Sequence, residues 1–331
     1  MNAIEVLSAG LLTTVQDGGR HGHAALGVGS AGAMDPLALR LANLLVGNDA
    51  GAAVLEITLR GPRLRLHHDA LLAITGAPIE ASCDGTALPL WRPLRLRAGS
   101  EVAFGGMPYG ARSYLAFGGG IDSPATLGSR STDVNAGIGL APLAPGSALA
   151  CGTMSAATQR LHSELGGAGR AFAAAAWQLD PQPWFDAASQ RPLRFVAGAH
   201  FPQLDNAAQR ALCDASWRIA PASNRVGYRL EGPALALRAP LQLVSEGVVP
   251  GTLQLPPGGA PIVLMAEAPT AGGYPRIAHV IAVDLPRLAQ RRPGDTLRFA
   301  ETSLADAQTR YLERAAALRR LQHHIRDRLH G

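Results

Sequence analysis

The sequence predicts a mainly β protein built from two related barrel- or sandwich-like units with few helices. Three observations predict it. The chain holds 38 Gly and 24 Pro among 331 residues, without a fixed period and with apolar segments between them, which fits many short strands better than disorder or a fibre. Those segments are short and bounded by Gly, Pro, Asn or Asp, the strand-and-turn signature of barrels and sandwiches. The first half is also echoed in the second. LRGPRLRLHHDALLAITGAPI (59–79) matches LEGPALALRAPLQLVSEGVVPG (230–251), and LRAGSEVAF (96–104) matches RRPGDTLRF (291–299), as repeated units do.

Each element follows in chain order. Asp35 as N-cap, Pro36 at the first helical position and Gly47 as a stop predict a helix over Pro36–Val46. Its apolar face is Leu37, Leu41, Leu44 and Leu45. Strands are expected at Leu64–Leu66, Ala70–Thr75, Leu94–Arg97, Val102–Phe104 and Arg112–Phe117. An Ala-, Gly- and Pro-rich stretch (151–190) reads as a link between a first unit (1–150) and a second (191–300). The second unit has strands expected at Leu193–Val196, Leu235–Leu237, Leu241–Val244, Ile262–Met265, Ala278–Val283 and Thr296–Phe299, and a helix at Asp205–Cys213. The closing segment (301–331) reads as one long helix, Leu304–Leu329. Ser303 and Asp306 form its capping box, and Leu304, Tyr311, Ala315, Leu318, Ile325 and Leu329 its apolar stripe.

Composition excludes several functions. The formal charge is +5, and all 30 basic residues are arginine. Without Lys there is no Walker A loop, no biotin attachment point, no Schiff base and no Ser-Ser-Lys amidase centre on this chain. Arginines are scattered and aromatics make up 5 %, so no basic stripe with stacking platforms marks a nucleic-acid partner. Cys83, Cys151 and Cys213 are isolated, which argues against a disulfide framework or a cysteine zinc site. His21 and His23 lack a third ligand at zinc-like spacing, so no metal is expected. The start has no basic-then-apolar leader and no 18-residue apolar run follows, so a cytoplasmic protein without a membrane partner is expected.

Polar side chains concentrate in a few turns. Ser245–Tyr274 carries Glu246, Gln254, Glu267, Thr270 and Tyr274 between Pro-Gly turns; turn geometry alone needs no such groups. FGGGIDSPATLGSRSTD (117–133) follows a strand with three glycines and offers Arg130, whose planar fork suits a carboxylate or phosphate. ASNRVGYRLEGP (222–233) places Arg225 and Tyr228 ahead of a strand, and VQDGGRHGH (15–23) gathers Gln16, Asp17, Arg20 and two histidines. GSAGAMD (29–35) puts a Gly-rich turn before a helix N-terminus, an anion-binding geometry that Asp35 as cap competes for.

TTVQDGGR (13–20), SAGAMD (30–35), LANLLVGN (41–48), LGSRSTD (127–133), SNRVGYRLEGP (223–233), SEGVVPGTLQLPPGGAPIVLMAEAPTAGGYP (245–275) and QRRPGD (290–295) resemble, in order, the family of the C subunit of 5-oxoprolinase. That family is also called allophanate hydrolase subunit 2 or biotin-dependent carboxyltransferase. The resemblance implies two cyclophilin-like β-barrel units, with the B subunit of 5-oxoprolinase as the partner that completes the site and the A subunit as a further partner. It implies ATP-dependent opening of 5-oxo-L-proline to L-glutamate, with ATP and Mg at the level of the complex and no covalent biotin here. On that reading Arg130, Arg225, Tyr228, Gln254 and Thr270 bind substrate, and Glu246, Glu267 and Tyr274 are the catalytic candidates. A urea carboxylase-type carboxyltransferase and a non-enzymatic regulator, binding a partner like the B subunit, are the alternatives. Pro269 and Ala271 beside Thr270 depart from the family pattern.

Overall fold

The structure is a computed structural model and describes residues 3–166 and 171–330. The chain divides into two compact, discontinuous units. Met1–Arg20, Asp35–Ala187 and Leu318–Gly331 form the first; His21–Met34 and Ala188–Ala317 form the second. The expected link thus falls largely within the first unit, where it carries the helix Ala156–Glu164 and the strand Phe172–Ala174.

The first unit lays two antiparallel sheets over one core. The seven-stranded sheet contains Ile4–Ser8, Arg63–Leu66 and Glu101–Phe104. The six-stranded sheet is centred on Ala70–Gly76, Arg112–Phe117 and Val54–Thr58. Alternate residues from both sheets, among them Ile4, Val6, Leu64 and Phe104 against Leu55, Ile57, Leu72 and Leu115, share the core, as period-two side chains dictate. The opposite face of the six-stranded sheet is polar yet buried: Thr14, Gln16, Glu56, Thr75 and Tyr114. Much of it is satisfied locally, although the buried Gln16 Oε1 has no hydrogen-bond partner among the described residues. Thr75 Oγ1 donates to Ala38 O at 2.7 Å in the helix Pro36–Leu45, and the Tyr114 hydroxyl donates to Glu56 Oε2 at 2.7 Å. Burial first, then the Glu56 and Asp35 carboxylates, push the Tyr114 phenol well above its ordinary pKa. The helix begins as its sequence predicts, with Asp35 Oδ1 accepting the Ala38 N–H at 3.0 Å. Its N-terminus is therefore closed by the chain's own carboxylate.

In the second unit eight strands form one sheet. Thr296–Leu297 pairs with Trp217–Ile219 at one end of the strand order, while Phe299–Glu301 runs parallel to Leu193–Ala197 at the other. The continuous segment 296–301 therefore joins both ends and nearly closes the sheet into a barrel, which covers edges that would otherwise be exposed. Its core includes Trp217, Phe195 and Phe299, with the two phenylalanines edge-to-face at 6.3 Å and 85°. Asp205 caps the helix Asn206–Asp214 by accepting the Ala208 N–H at 2.7 Å.

Two expected strands are absent. Residues 235–244 hold no strand, only a bridge from Leu237 to Leu204. Pro233 and Pro240 flank or interrupt this stretch, and proline cannot donate to a ladder. The sequence echo consequently does not extend to matching strand pairs there. The C-terminal helix runs Leu304–His330, with Ser303 Oγ accepting the Asp306 N–H at 3.0 Å. It buries Leu318, Ile325 and Leu329 and leaves Leu304, Tyr311 and Leu312 exposed. Among the described residues no helix is long and apolar enough to cross a membrane.

Candidate functional site

The Ser245–Tyr274 block builds the most suggestive site, on the outer face of the second unit's barrel. Leu253 and Leu255 point into the core, so Thr252 and Gln254, one residue out of phase, face outward. The neighbouring strand Arg276–Val280 carries an irregularity: Thr252 pairs with His279, Leu253 with Ala278, and Gln254 with Arg276. Ile277 and Ala278 both enter the core, and this bulge brings Arg276 and His279 together on the outer face. The outer face thus presents Thr252, Gln254, Arg276 and His279. Beside them Ile262 and Leu264 form a small apolar patch.

A two-stranded ribbon lies over this face. Glu246–Gly247 pairs with Ala271–Gly272, separate from the barrel sheet. Its Val248 packs with Leu264, Ala268 and Ile262. Glu246 forms an ion pair with Arg276, whose Nη1 also donates to Gly247 O at 3.3 Å. Gly272 sits directly against Gln254: a Cβ there would fall well inside van der Waals contact of Gln254 Nε2, so the end of that amide would have to swing aside. Beneath it Gln254 is 5 % exposed, and its Nε2 has no hydrogen-bond partner among the described residues. A buried amide donor without an acceptor carries a cost of about 1–3 kcal/mol. Thr252 Oγ1 lies 3.2 Å from His279 Nδ1, and His200 Nδ1 accepts the Arg276 N–H at 3.1 Å. Burial, then the adjacent Arg276 guanidinium, lower the His279 pKa from its ordinary value, so this ring is neutral at neutral pH. On this face the ribbon answers Arg276 with the Glu246 carboxylate and the Gly247 carbonyl, while Thr252 and His279 meet each other.

The expected site residues separate into groups. Glu246, Gln254, Thr270 and Tyr274 belong to the ribbon and the face it covers, with Tyr274 and Glu246 exposed and Gln254 buried. Arg225 and Glu267 instead form a buried ion pair, Nε to Oε1 at 2.5 Å, and Arg225 Nη2 donates to Gly32 O at 2.6 Å. Tyr228 is buried, with its hydroxyl 3.4 Å from Arg291 O. These three brace the ends of strands rather than face the ribbon strip. Arg276, Thr252, His279 and His200 were not expected as site residues. The signal for Arg276 and His279 is the bulge, which alters strand phase without marking the sequence.

In the first unit, residues 15–20 of one polar block meet the other, 117–133. Asp17 accepts from Gly19 N at 2.8 Å, Ser129 Oγ at 2.6 Å and Ser131 Oγ at 2.5 Å on Oδ1, and from Arg130 N at 2.6 Å on Oδ2. Burial raises the carboxyl's pKa, but these four hydrogen bonds outweigh it and hold the value below the usual 3.8. The Arg130 side chain points elsewhere, pairing with Asp122 at 2.9 Å and remaining about one-third exposed. The Gly-Ser-Arg-Ser loop is thus largely satisfied by its own Asp17.

The description "carboxyltransferase domain, subdomain A and B" is that of the family model matching residues 26–301. Over 322 residues the chain is 39 % identical to the C subunit of 5-oxoprolinase from Escherichia coli (strain K12), covering 95 % of this chain and 97 % of that one. The crystal structure of TTHA0988 superposes with a TM-score of 0.75 at 34 % identity, covering 91 % of this chain and 55 % of that one. The crystal structure of the K. lactis urea amidolyase superposes with a TM-score of 0.79 at 28 % identity, covering 92 % of this chain and 19 % of that one. The chain therefore spans nearly all of one relative, about half of another and about a fifth of the third. By both its sequence and its fold, this chain belongs to the family of the carboxyltransferase domain, subdomains A and B.

Proposed function

We propose that the chain is one subunit of an ATP-dependent 5-oxoprolinase, a hydrolase that opens 5-oxo-L-proline to L-glutamate together with the A and B subunits as partners in the cytoplasm. The observation that carries this reading is the near end-to-end match to the E. coli C subunit, which leaves no large part of either chain unmatched. The donor face under the ribbon supports it, because a cyclic amide bearing a carboxylate needs donors for its lactam oxygen and for its carboxylate. Gln254 Nε2 would donate to a substrate oxygen, and Arg276 and Thr270 would hold the polar end. Glu246, once released from Arg276, would accept the proton of attacking water, with the Tyr274 hydroxyl as a further catalytic candidate. Arg225, Tyr228 and Glu267 would fix the strand ends from which the face is built, and Arg130 is the first unit's candidate for an anionic group.

ATP with Mg enters the reading at the level of the complex. Among the described residues no three His, Cys, Asp or Glu side chains gather as a metal site, and the chain has no Lys for a phosphate loop. The chain therefore offers neither an all-protein metal cage among its described residues nor a Walker A loop, and ATP with Mg stays at the level of the complex.

The likeness to urea amidolyase favours a second reading, carboxyl transfer to a urea-type acceptor. With no Lys this chain cannot carry biotin itself. Presenting the purified complex with 5-oxo-L-proline and ATP, and separately with urea, bicarbonate, ATP and a biotinylated carrier, decides between them. Glutamate from the first mixture supports the oxoprolinase reading; carboxylated urea from the second alone replaces it.

A further inference from the structure

We infer that Arg276 and Gln254 form a carboxylate-binding site whose ligand-free occupant is the chain's own Glu246, so that an incoming carboxylate displaces Glu246 and lifts the ribbon. The inference rests on reading the ribbon face as the ligand site and adds how that site is kept closed.

Three observations carry it. First, the face supplies an arginine and a primary amide side by side, on paired positions Arg276 and Gln254, a combination that suits the two oxygens of a carboxylate. The Arg276 guanidinium meets Glu246, whereas Gln254 Nε2, 5 % exposed with its residue, meets no acceptor among the described residues. The built-in carboxylate therefore answers one donor and leaves the other empty. A ligand carboxylate reaching both would satisfy the face better than Glu246 does. Second, the ribbon's strands are two residues each and stand outside the barrel sheet, too short to be stable by themselves. It is held by the Glu246–Arg276 pair, the Gly247 carbonyl and Val248 on its apolar patch. The Glu246 side chain is 55 % exposed, and an ion pair so open to water is weak enough to exchange. Third, Gly272 lies against the Gln254 amide so closely that a Cβ would overlap Nε2. The ribbon is shaped to cover that donor, and lifting it would uncover it.

The exchange is one carboxylate for another. No bond is made or broken, the guanidinium keeps its charge, and Glu246 becomes a free carboxylate beside the bound ligand. A closed population holding Arg276 multiplies the apparent affinity by the open fraction, and so weakens it. For an exposed pair of ordinary strength, removing the competitor should tighten binding about threefold to fivefold.

The test is ligand-observed NMR titration of the full chain, as wild type and as Glu246→Gln, with 5-oxo-L-proline, acetate and the neutral lactam pyrrolidin-2-one as probes. The inference predicts that Glu246→Gln binds 5-oxo-L-proline about threefold to fivefold tighter than wild type, with no such gain for pyrrolidin-2-one. Arg276→Met and, independently, Gln254→Leu should each lose that gain; the second variant keeps the test valid where the first fails to fold. Equal or weaker binding of 5-oxo-L-proline and acetate by Glu246→Gln overturns the inference. So does an equal gain for the neutral lactam. If acetate tightens as expected and 5-oxo-L-proline does not bind, the carboxylate site stands and the oxoprolinase reading falls. If a reconstituted complex makes glutamate while Glu246→Gln changes no affinity, the inference falls alone.

Discussion

Replacing Asp17 with Asn should destabilise the first unit by about 2–3 kcal/mol at pH 7, although the two side chains have nearly the same shape. The reason is the distribution of backbone donors. Gly19 N–H points at Oδ1 from 2.8 Å and Arg130 N–H at Oδ2 from 2.6 Å. An asparagine has a single oxygen, so in either orientation one of these N–H groups faces an NH₂. The Ser129 and Ser131 hydroxyls can rotate to follow the change, but a backbone N–H cannot. One charge-assisted hydrogen bond is lost and one half-buried donor is left without its acceptor, which gives the stated magnitude. Its pH dependence follows from the lowered pKa of Asp17 in the folded state. The unfolded chain then takes up the proton first, so the stabilisation is complete above the unfolded value near 3.8 and is lost as pH falls through the folded value. Urea unfolding of wild type and Asp17→Asn, followed by tryptophan fluorescence, should show a constant gap at neutral and mildly acid pH. The gap should narrow only in strongly acid solution. A gap below about 0.5 kcal/mol at pH 7, the ordinary range of surface substitutions, would refute the reasoning, as would a gap that narrows near pH 6.

Two further outcomes are expected. Gly272→Ala pushes the end of the Gln254 amide aside, at a cost of less than about 1 kcal/mol, and limited proteolysis should cut faster within 243–250 than in wild type. Arg225→Met or Glu267→Gln, by leaving one member of a buried pair, should each cost about 3–5 kcal/mol, and the double variant less than the sum, as a double-mutant cycle in urea would show.

Much of the fold is legible in the sequence because it is written in local chemistry. Asp35–Pro36, Asp205 and Ser303 each start a helix where their side chains accept a backbone N–H. Most apolar runs bounded by turns became strands. The stretch 235–244 misled because its apolar alternation is sound, while Pro233 and Pro240 remove the donors a ladder needs. The boundaries of the units were less legible still. His21–Met34 clusters with the second unit and 151–187 with the first, a consequence of long-range packing that no local pattern encodes. The site divides in the same way. Gln254, Glu246 and Gly272 stand in one conspicuous block, so their neighbourhood is visible at once. Arg276 reaches it only because a bulge turns Ile277 and Ala278 both inward. Arg225 and Glu267 carry the right chemistry for a site and are used on each other.

The central claim, that this chain is an indispensable part of an oxoprolinase, is tested most directly by omission. The A and B subunits, ATP, Mg and 5-oxo-L-proline are assayed for L-glutamate with and without the chain. The account predicts glutamate formation when all three proteins are present, and a drop to background when this chain is left out. Undiminished glutamate formation in its absence would contradict it.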